Sequence, residues 1–195
     1  MNNSRTSQRR HVNNVRIGGG EWRSRLLTFP DANGLRPTGD RVKQTLFNWL
    51  GQSLLERVCL DAFAGSGALG FEAASRGAQQ VILCEAQGET ARSLAENAKR
   101  LGAQQCRVVH ADVRLWLRTN GLKFDVVFCD PPFLEAILDT FLAQLVPHLA
   151  EDALVYVESA QPVETLSGIH SHFVVEKASK AGAVHFGLLR LISAG

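Results

Sequence analysis

The stretch Gly65-Ser66-Gly67-Ala68-Leu69-Gly70 spells G-x-G-x-x-G shortly after an apolar run that closes on Asp61, and Glu85 stands twenty positions beyond Gly65. Between a strand and a helix, such glycines make a tight turn that brings the backbone close to a ligand. An acid at the end of the next strand then accepts from ribose hydroxyls. Three features oppose the nicotinamide dinucleotide that the letters suggest. About 55 residues precede the first strand, so the fingerprint is embedded in the chain. Asp61 comes four residues before Gly65, where its charge would repel a pyrophosphate. The chain also closes on two β-rich runs that should pair antiparallel, whereas the dinucleotide fold is built from two parallel halves. S-adenosylmethionine has no phosphate, and its sulfonium and ammonium groups tolerate a carboxylate such as Asp61. Glu85 can accept from both ribose hydroxyls, and Asp112, in "HADVR", is placed to accept from the adenine amino group. Both acids have a second role open to them as helix N-caps.

The fourth strand of the pattern ends in Asp130-Pro131-Pro132-Phe133. Two prolines remove two N–H donors and stiffen the turn, which leaves the Pro131 carbonyl as a fixed acceptor. An amino group with two hydrogens can donate to that carbonyl and to the Asp130 carboxylate, so that its lone pair leaves conjugation and faces a methyl donor. Phe133 offers a flat face for a base. The D-P-P-[FYW] pattern in this place resembles motif IV of the class I methyltransferases that act on exocyclic amino nitrogens.

These residues need a scaffold, and the alternation along the chain supplies one. Strands are predicted at 57–61, 81–85, 106–110, 124–130 and 153–159, with helices at about 67–76, 88–101, 113–119 and 134–149 between them. This is a parallel sheet covered on both faces. Runs 172–179 and 184–192 are separated only by "KAGA" and should form an antiparallel hairpin at the sheet edge. Upstream, residues 42–50 recur at helical spacing, with Thr38 or Asp40 as N-cap. Residues 15–29 suggest a hairpin or extended arm, and residues 1–14 show no apolar period and are expected to lack structure. We divide the chain into a basic N-terminal extension, 1–52, and a catalytic domain, 53–195.

At 195 residues and 45% hydrophobic, the chain suits one sizeable core. Its net charge is only +2, but residues 1–50 hold nine Arg and Lys against three acids. A basic front on an acidic body suits a polyphosphate partner. No apolar run is long enough for a membrane span, and the chain is expected to be cytoplasmic and monomeric. Cys59, Cys84, Cys106 and Cys129 form no C-x-x-C pair, so they are expected as reduced apolar residues and not as zinc ligands. No metal site is expected.

Residues 17–50, "IGGGEWRSRLLTFPDANGLRPTGDRVKQTLFNWL", together with "CLDAFAGSGALGFEAASRGA" and "FCDPPF", resemble the bacterial RsmD family. The resemblance runs from about residue 15 to 192. It implies a class I S-adenosylmethionine-dependent methyltransferase fold: a Rossmann-like three-layer sandwich with a mostly parallel seven-stranded sheet, an antiparallel C-terminal hairpin and a basic N-terminal arm. It implies methylation of the exocyclic N2 of one guanine in 16S rRNA, as naked RNA, the small ribosomal subunit or its assembly intermediate. Carried onto this sequence, the cofactor contacts are Thr38, Arg41, Asp61, Phe63, Gly65, Ser66, Gly67, Glu85, Ala86, Asp112, Val113 and Asp130. The catalytic turn is Asp130, Pro131, Pro132 and Phe133. Candidate RNA contacts are Arg16, Arg23, Arg25 and Arg36 as phosphate ligands, with Trp22 and Phe133 as stacking partners, Trp22 having packing of the arm on the body as an equally open second role. Departures are Ser24 where the family commonly has Gly, Gly39 in place of Ser or Thr, and Ala86-Gln87 after Glu85. Two other methyltransferase readings share the turn, acting on adenine N6 or on protein glutamine. An NAD-linked dehydrogenase lacks an evident acid or base, because His110, His148, His170, His172 and His185 are scattered. A non-catalytic RNA-binding module would not need the fixed turn.

Overall fold

The computed structural model describes residues 12–30, 39–131, 135–167, 169 and 171–192. Its centre is a sheet of seven strands: β3 (Val58–Asp61), β4 (Gln80–Glu85), β5 (Cys106–His110), β6 (Phe124–Cys129), β7 (Leu149–Ser159), β8 (Phe173–Ala181) and β9 (Val184–Leu191). They lie in the order β5-β4-β3-β6-β7-β9-β8. The first five are parallel, β9 runs antiparallel to β7, and β8 and β9 form the hairpin at the edge. This matches the α/β architecture expected from the alternation of elements. Strand order reverses between β3 and β6, so the crevice beyond their carboxyl ends is where such sheets bind ligands.

Period-two alternation divides the strand residues between two cores. Cys59, Val81, Leu83, Val126, Phe128 and Tyr156 face α1 (Asp40–Leu50), α2 (Ala68–Ser75) and α3 (Gly88–Leu101). Leu60, Ile82, Cys84, Val127, Cys129, Val155 and Val157 face α4 (Val113–Leu117) and α5 (Glu135–Leu145). All four cysteines are free thiols within β3 to β6. Burial pushes the thiols of Cys59, Cys84 and Cys106 up to about 12, which suppresses the reactive thiolate.

Several boundaries differ from expectation. Helix α5 ends at Leu145 and gives way to a 3-10 turn at Val146–His148 containing Pro147, after which β7 begins at Leu149, four residues early. Proline cannot donate to the helical ladder, so the helix stops there. Helix α4 ends at Leu117. The N-cap of α1 is Gly39 and not Asp40, and no side chain caps it; Thr38 lies outside the described residues. The departure at Gly39 therefore removes a hydroxyl from the position where one would be used.

The arm is a true antiparallel hairpin, β1 (Val12–Arg16) with β2 (Leu26–Pro30). Residues 12–14 thus belong to a strand, which corrects the expectation that they lack structure. Val15, Ile17, Trp22, Leu27 and Phe29 are buried in the same core as α1 to α3. Backbone polar groups of the arm are met by the body. Glu21 N–H donates to the Ser75 carbonyl at 2.8 Å and Trp22 N–H to Ser75 Oγ at 2.8 Å. The Asn97 side chain brackets Thr28, donating from Nδ2 to its carbonyl at 2.7 Å and accepting its N–H at 3.2 Å. Gly20, at φ 74°, lies against Ser75: a Cβ there would meet the Ser75 carbonyl oxygen at 1.8 Å. Ser24 adopts φ 70°, the left-handed region that glycine enters without strain, which accounts for the glycine expected there.

Candidate active site

Four acids expected at strand ends lie together at the carboxyl end of the sheet: Asp61 ends β3, Glu85 ends β4, Asp112 follows β5 and Asp130 follows β6. The glycine loop crosses between the first two. Gly65 and Gly67 take φ of 49° and 77°, and the Gly65 N–H donates to Glu85 Oε2 at 2.9 Å. The other Glu85 oxygen accepts the Gln87 N–H at 2.7 Å. The half-buried Glu85 carboxylate is thereby fixed in orientation beside the loop, and each oxygen keeps lone-pair capacity for a further donor. Gly67 is the N-cap of α2, and Ser66 is buried with its Oγ facing the Ala68 N–H at 3.3 Å.

Asp61 is buried, and its Oδ2 accepts the Gly70 N–H at 2.8 Å, tying the loop helix to the strand. A Cβ on Gly70 would come within 3.0 Å of that oxygen and 2.8 Å of Leu83 Cδ2, so only glycine lets α2 approach this closely. Burial pushes the Asp61 carboxyl up to about 7 against the opposing pull of the Gly70 N–H, with Glu85 adding a smaller push. Asp130 is raised well above 3.8 by burial, then by Glu158 and Asp61. Among the described residues neither acid has a Lys, Arg or His within ion-pair distance. A cationic ligand relieves this arrangement and a pyrophosphate aggravates it, so the donor set fits S-adenosylmethionine.

A stability consequence follows from Asp61. Below its ordinary value of 3.8 both native and unfolded chains hold the proton; between there and about 7 only the native chain does. Stability of the cofactor-free protein should therefore fall as pH rises through that window. Melting temperature measured from pH 5 to 8 should decline. Asp61→Asn, which keeps an oxygen for Gly70, should give a shallower decline; an unchanged slope would contradict the assignment.

Asp112 caps α4 through the Arg114 N–H at 2.9 Å, and the Arg114 guanidinium reaches both its oxygens at 3.0 and 2.6 Å. That guanidinium holds the carboxyl below the usual range. The capping role is therefore occupied, and the adenine role remains a proposal that uses leftover acceptor capacity. Val113 is buried at the start of α4. Ala86 is exposed, and its carbonyl lies 3.2 Å from His110 Nε2. Half-buried Phe63 meets Phe141 edge-on, with ring centroids 5.3 Å apart. Arg41 projects from the exposed side of α1. Pro131 is half-buried beside Asp130. Pro132, Phe133, Arg36 and Thr38 lie outside the described residues.

Arg16, Arg23 and Arg25 are exposed on the arm. Trp22 is not: at 4% exposure it belongs to the core. Its proposed stacking on RNA is corrected, because its ring is spent on docking the arm. A cavity of about 270 Å³ at the opposite end of the sheet involves Arg57, Asp125, Asp152 and Arg190. Arg57 pairs with Asp125 at 3.3 Å there, Asp125 also accepts the Val58 N–H at 2.8 Å, and Arg190 pairs with Glu176.

Sequence reasoning missed a buried ionic hub. Glu72 on α2 is 0% exposed. It accepts the Gly18 N–H at 2.6 Å and Arg76 Nε and Nη2 at 3.0 and 2.8 Å, with Lys43 Nζ at 3.6 Å. Lys43 also donates to the Arg16 carbonyl, and the Arg76 guanidinium lies 4.8 Å from the centre of the Phe47 ring. Arm, α1 and α2 meet here. The signal was present: Lys43 falls on the apolar stripe of Val42, Leu46 and Phe47, and Glu72 interrupts an otherwise apolar helix. Glu158, beyond Tyr156 on β7, was also missed.

The switch-point crevice, the glycine cradle and the strand-end acids Asp61 and Asp130, which have no basic partner among the described residues, define an S-adenosylmethionine-dependent methyltransferase of class I. The chain matches the family model described as Conserved hypothetical protein 95 over residues 15–190. It is 41% identical over 176 residues to ribosomal RNA small subunit methyltransferase D of Escherichia coli, covering 89% of this chain and 88% of that one. The Haemophilus influenzae protein of the same name is 44% identical over 151 residues, covering 74% and 78%. The solved structure of the Escherichia coli protein yhhF superposes with a TM-score of 0.83 at 37% identity, covering 93% of this chain and all of that one. The chain belongs to this family, the RsmD methyltransferases.

Proposed function

We propose that this chain methylates the exocyclic N2 amine of one guanine in 16S rRNA, within the small ribosomal subunit or its assembly intermediate, in the cytoplasm and as a monomer. The observation that carries the proposal is the place of Asp130. It sits at the switch point beside the glycine loop, pressed toward the neutral form by burial and two neighbouring acids and without a basic partner among the described residues. The relatives' names supply the rRNA, and the exposed arginines of the arm fit phosphate contacts.

When bound, S-adenosylmethionine supplies a methyl group on a cationic sulfur that leaves as a neutral thioether. The work of the protein is alignment and charge. Gly65 and Gly67 admit the close backbone approach, Glu85 accepts from ribose, and Asp61 supports the helix behind the loop. Asp130 and the Pro131 carbonyl accept the two amine hydrogens and hold the nitrogen lone pair toward the methyl. As the nitrogen becomes positive, the Asp130 carboxylate stabilises it and takes the surplus proton. The target base must leave its stack, at about a few kcal/mol, which stacking on Phe133 would offset.

The test is transfer of labelled methyl to small-subunit particles from a strain lacking the modification, followed by nucleoside mass spectrometry. N2-methylguanosine at a single position is expected. N6-methyladenosine, or no transfer to naked RNA, assembly intermediates or finished subunits, would overturn the proposal.

A further inference from the structure

Glu158 is the penultimate residue of β7, and the pairing of β6 with β7 sets it beside Asp130. The register runs Val126↔Leu154, Val127↔Val155, Phe128↔Tyr156 and Cys129↔Val157, so one more step brings Asp130 level with Glu158. Neighbouring strands lie about 4.8 Å apart. Val126, Phe128, Leu154 and Tyr156 all contribute to the core under α1 and α2, and Asp130 and Glu158 continue that face by alternation. The two carboxylates influence each other: after burial, Glu158 is the largest cause of the raised Asp130 carboxyl.

The Glu158 carboxylate is also oriented from below. Tyr156 is fully buried, and its hydroxyl donates to Glu158 Oε1 at 2.7 Å. Burial and the adjacent carboxylates hold that phenol well above its ordinary value, so it stays a donor. Phe186, across on β9, packs on Tyr156 at 6.3 Å between ring centroids, and Trp49 of α1 stacks on Phe186 at 5.4 Å. A buried phenol packed by Phe186, with Trp49 behind that ring, thus fixes one oxygen of an acid next to the amine-binding residue, and the methyl-transfer chemistry above gives that acid no contact with the base.

We propose that Glu158 selects the base, accepting the N1–H of the target guanine while Asp130 and Pro131 hold its N2 amine. The proposal rests on the guanine-N2 reading above. Guanine presents an N1–H donor next to its amine, whereas adenine and 2,6-diaminopurine present a lone pair at N1. A carboxylate is an acceptor only and, with about four acceptor sites, serves several donors at once, the Tyr156 hydroxyl among them. Guanine supplies another; a purine without N1–H sets lone pair against lone pair in a partly desolvated site. Sites built to hydrogen-bond a donor reject the analogue that lacks it by as much as about 10⁴-fold. Asp130 recognises an amine of either purine, so amine recognition alone leaves the base undecided, and Glu158 supplies the missing discrimination.

The test uses small-subunit particles reconstituted on 16S RNA ligated from a synthetic fragment that carries either guanosine or 2,6-diaminopurine riboside at the target. The measurement is the ratio of kcat/KM on the two bases, which cancels any loss of folded enzyme. Wild type should favour guanosine by about a hundredfold or more. Glu158→Gln can turn an amide N–H toward the diaminopurine N1, and should lower that ratio by at least about tenfold. Tyr156→Phe should move it in the same direction by less, and it decides the matter if Glu158→Gln is inactive on both bases. A ratio unchanged in the active variants, or near unity in wild type that still makes N2-methylguanosine, overturns the role of Glu158 alone. Failure of wild type to make N2-methylguanosine overturns the guanine-N2 reading instead.

Discussion

Asp130→Ala is expected to cut methyl transfer by about 10²–10³-fold, the usual loss when one preorganised group facing the developing charge is removed. Affinity for S-adenosylmethionine should fall far less than turnover, because the glycine loop, Glu85 and Asp61 are untouched and only one of the two acids that favour a cationic ligand is lost. Asp130→Asn should fall between the two enzymes. It keeps the shape and one acceptor oxygen but cannot take the proton from the methylated nitrogen. The pH profile adds a sign. Because the free enzyme holds Asp130 well above the ordinary carboxyl value, kcat/KM for wild type should rise with pH through that raised value. The same limb should be missing from Asp130→Asn. Stability should move in the opposite direction. The raised carboxyl contributes stability that is present at low pH and lost as pH rises, so the cofactor-free Asn variant should melt higher than wild type at pH 8. A variant less active and more stable is the signature of an acid kept for chemistry at the expense of the fold. Filter binding of labelled product and thermal melts of the same preparation measure both. Full activity in Asp130→Ala would remove the turn from the mechanism.

How much of this was legible in the chain depended on how local the cause was. The parallel strands were visible because each is a short apolar run bounded by turn residues, and the glycine loop because its geometry demands specific residues at specific spacing. Cofactor choice was legible from Asp61, whose burial and bond to Gly70 come from the same few residues. Trp22 was left with two roles open because a tryptophan among arginines has the same letters whether it faces RNA or packs inward, and its burial selects packing. What decides is Ser75, fifty-three residues away, which receives the Trp22 N–H. Asp112 had two roles open, and the neighbouring Arg114 weights the capping role in a way the strand pattern alone did not show. Glu158 escaped notice because its importance lies in the β6–β7 register, which no single strand encodes.

The hub at Glu72 gives the largest expected loss of stability. Glu72→Gln keeps the size of the side chain and an oxygen for the Gly18 N–H but removes the charge that faces Lys43 and Arg76. Lys43 is 3% exposed and the Arg76 side chain 10%, so neither cation can regain water without moving. Lys43 then keeps only the exposed Asp40 carboxylate at 3.6 Å, a solvent-screened partner, so the loss stays near what breaking a buried ionic set costs, about 3–5 kcal/mol. Against a total of about 5–15 kcal/mol that is a large share. For a chain of this size it should lower the melting temperature by about 6–20 °C. The loss should begin in one place. Gly18 joins the arm, Lys43 joins α1, and Glu72 stands in the helix whose first turn carries the glycine loop. Limited proteolysis should therefore cut Glu72→Gln within residues 12–30 sooner than wild type, and cofactor affinity should weaken with arm release. As a control, Arg114→Ala breaks a shorter pair, 2.6 Å against 2.8 Å, but an exposed one, and should leave the melting temperature nearly unchanged. If both variants melt alike, burial is not what gives the Glu72 hub its weight, and the arm is held by its apolar contacts alone.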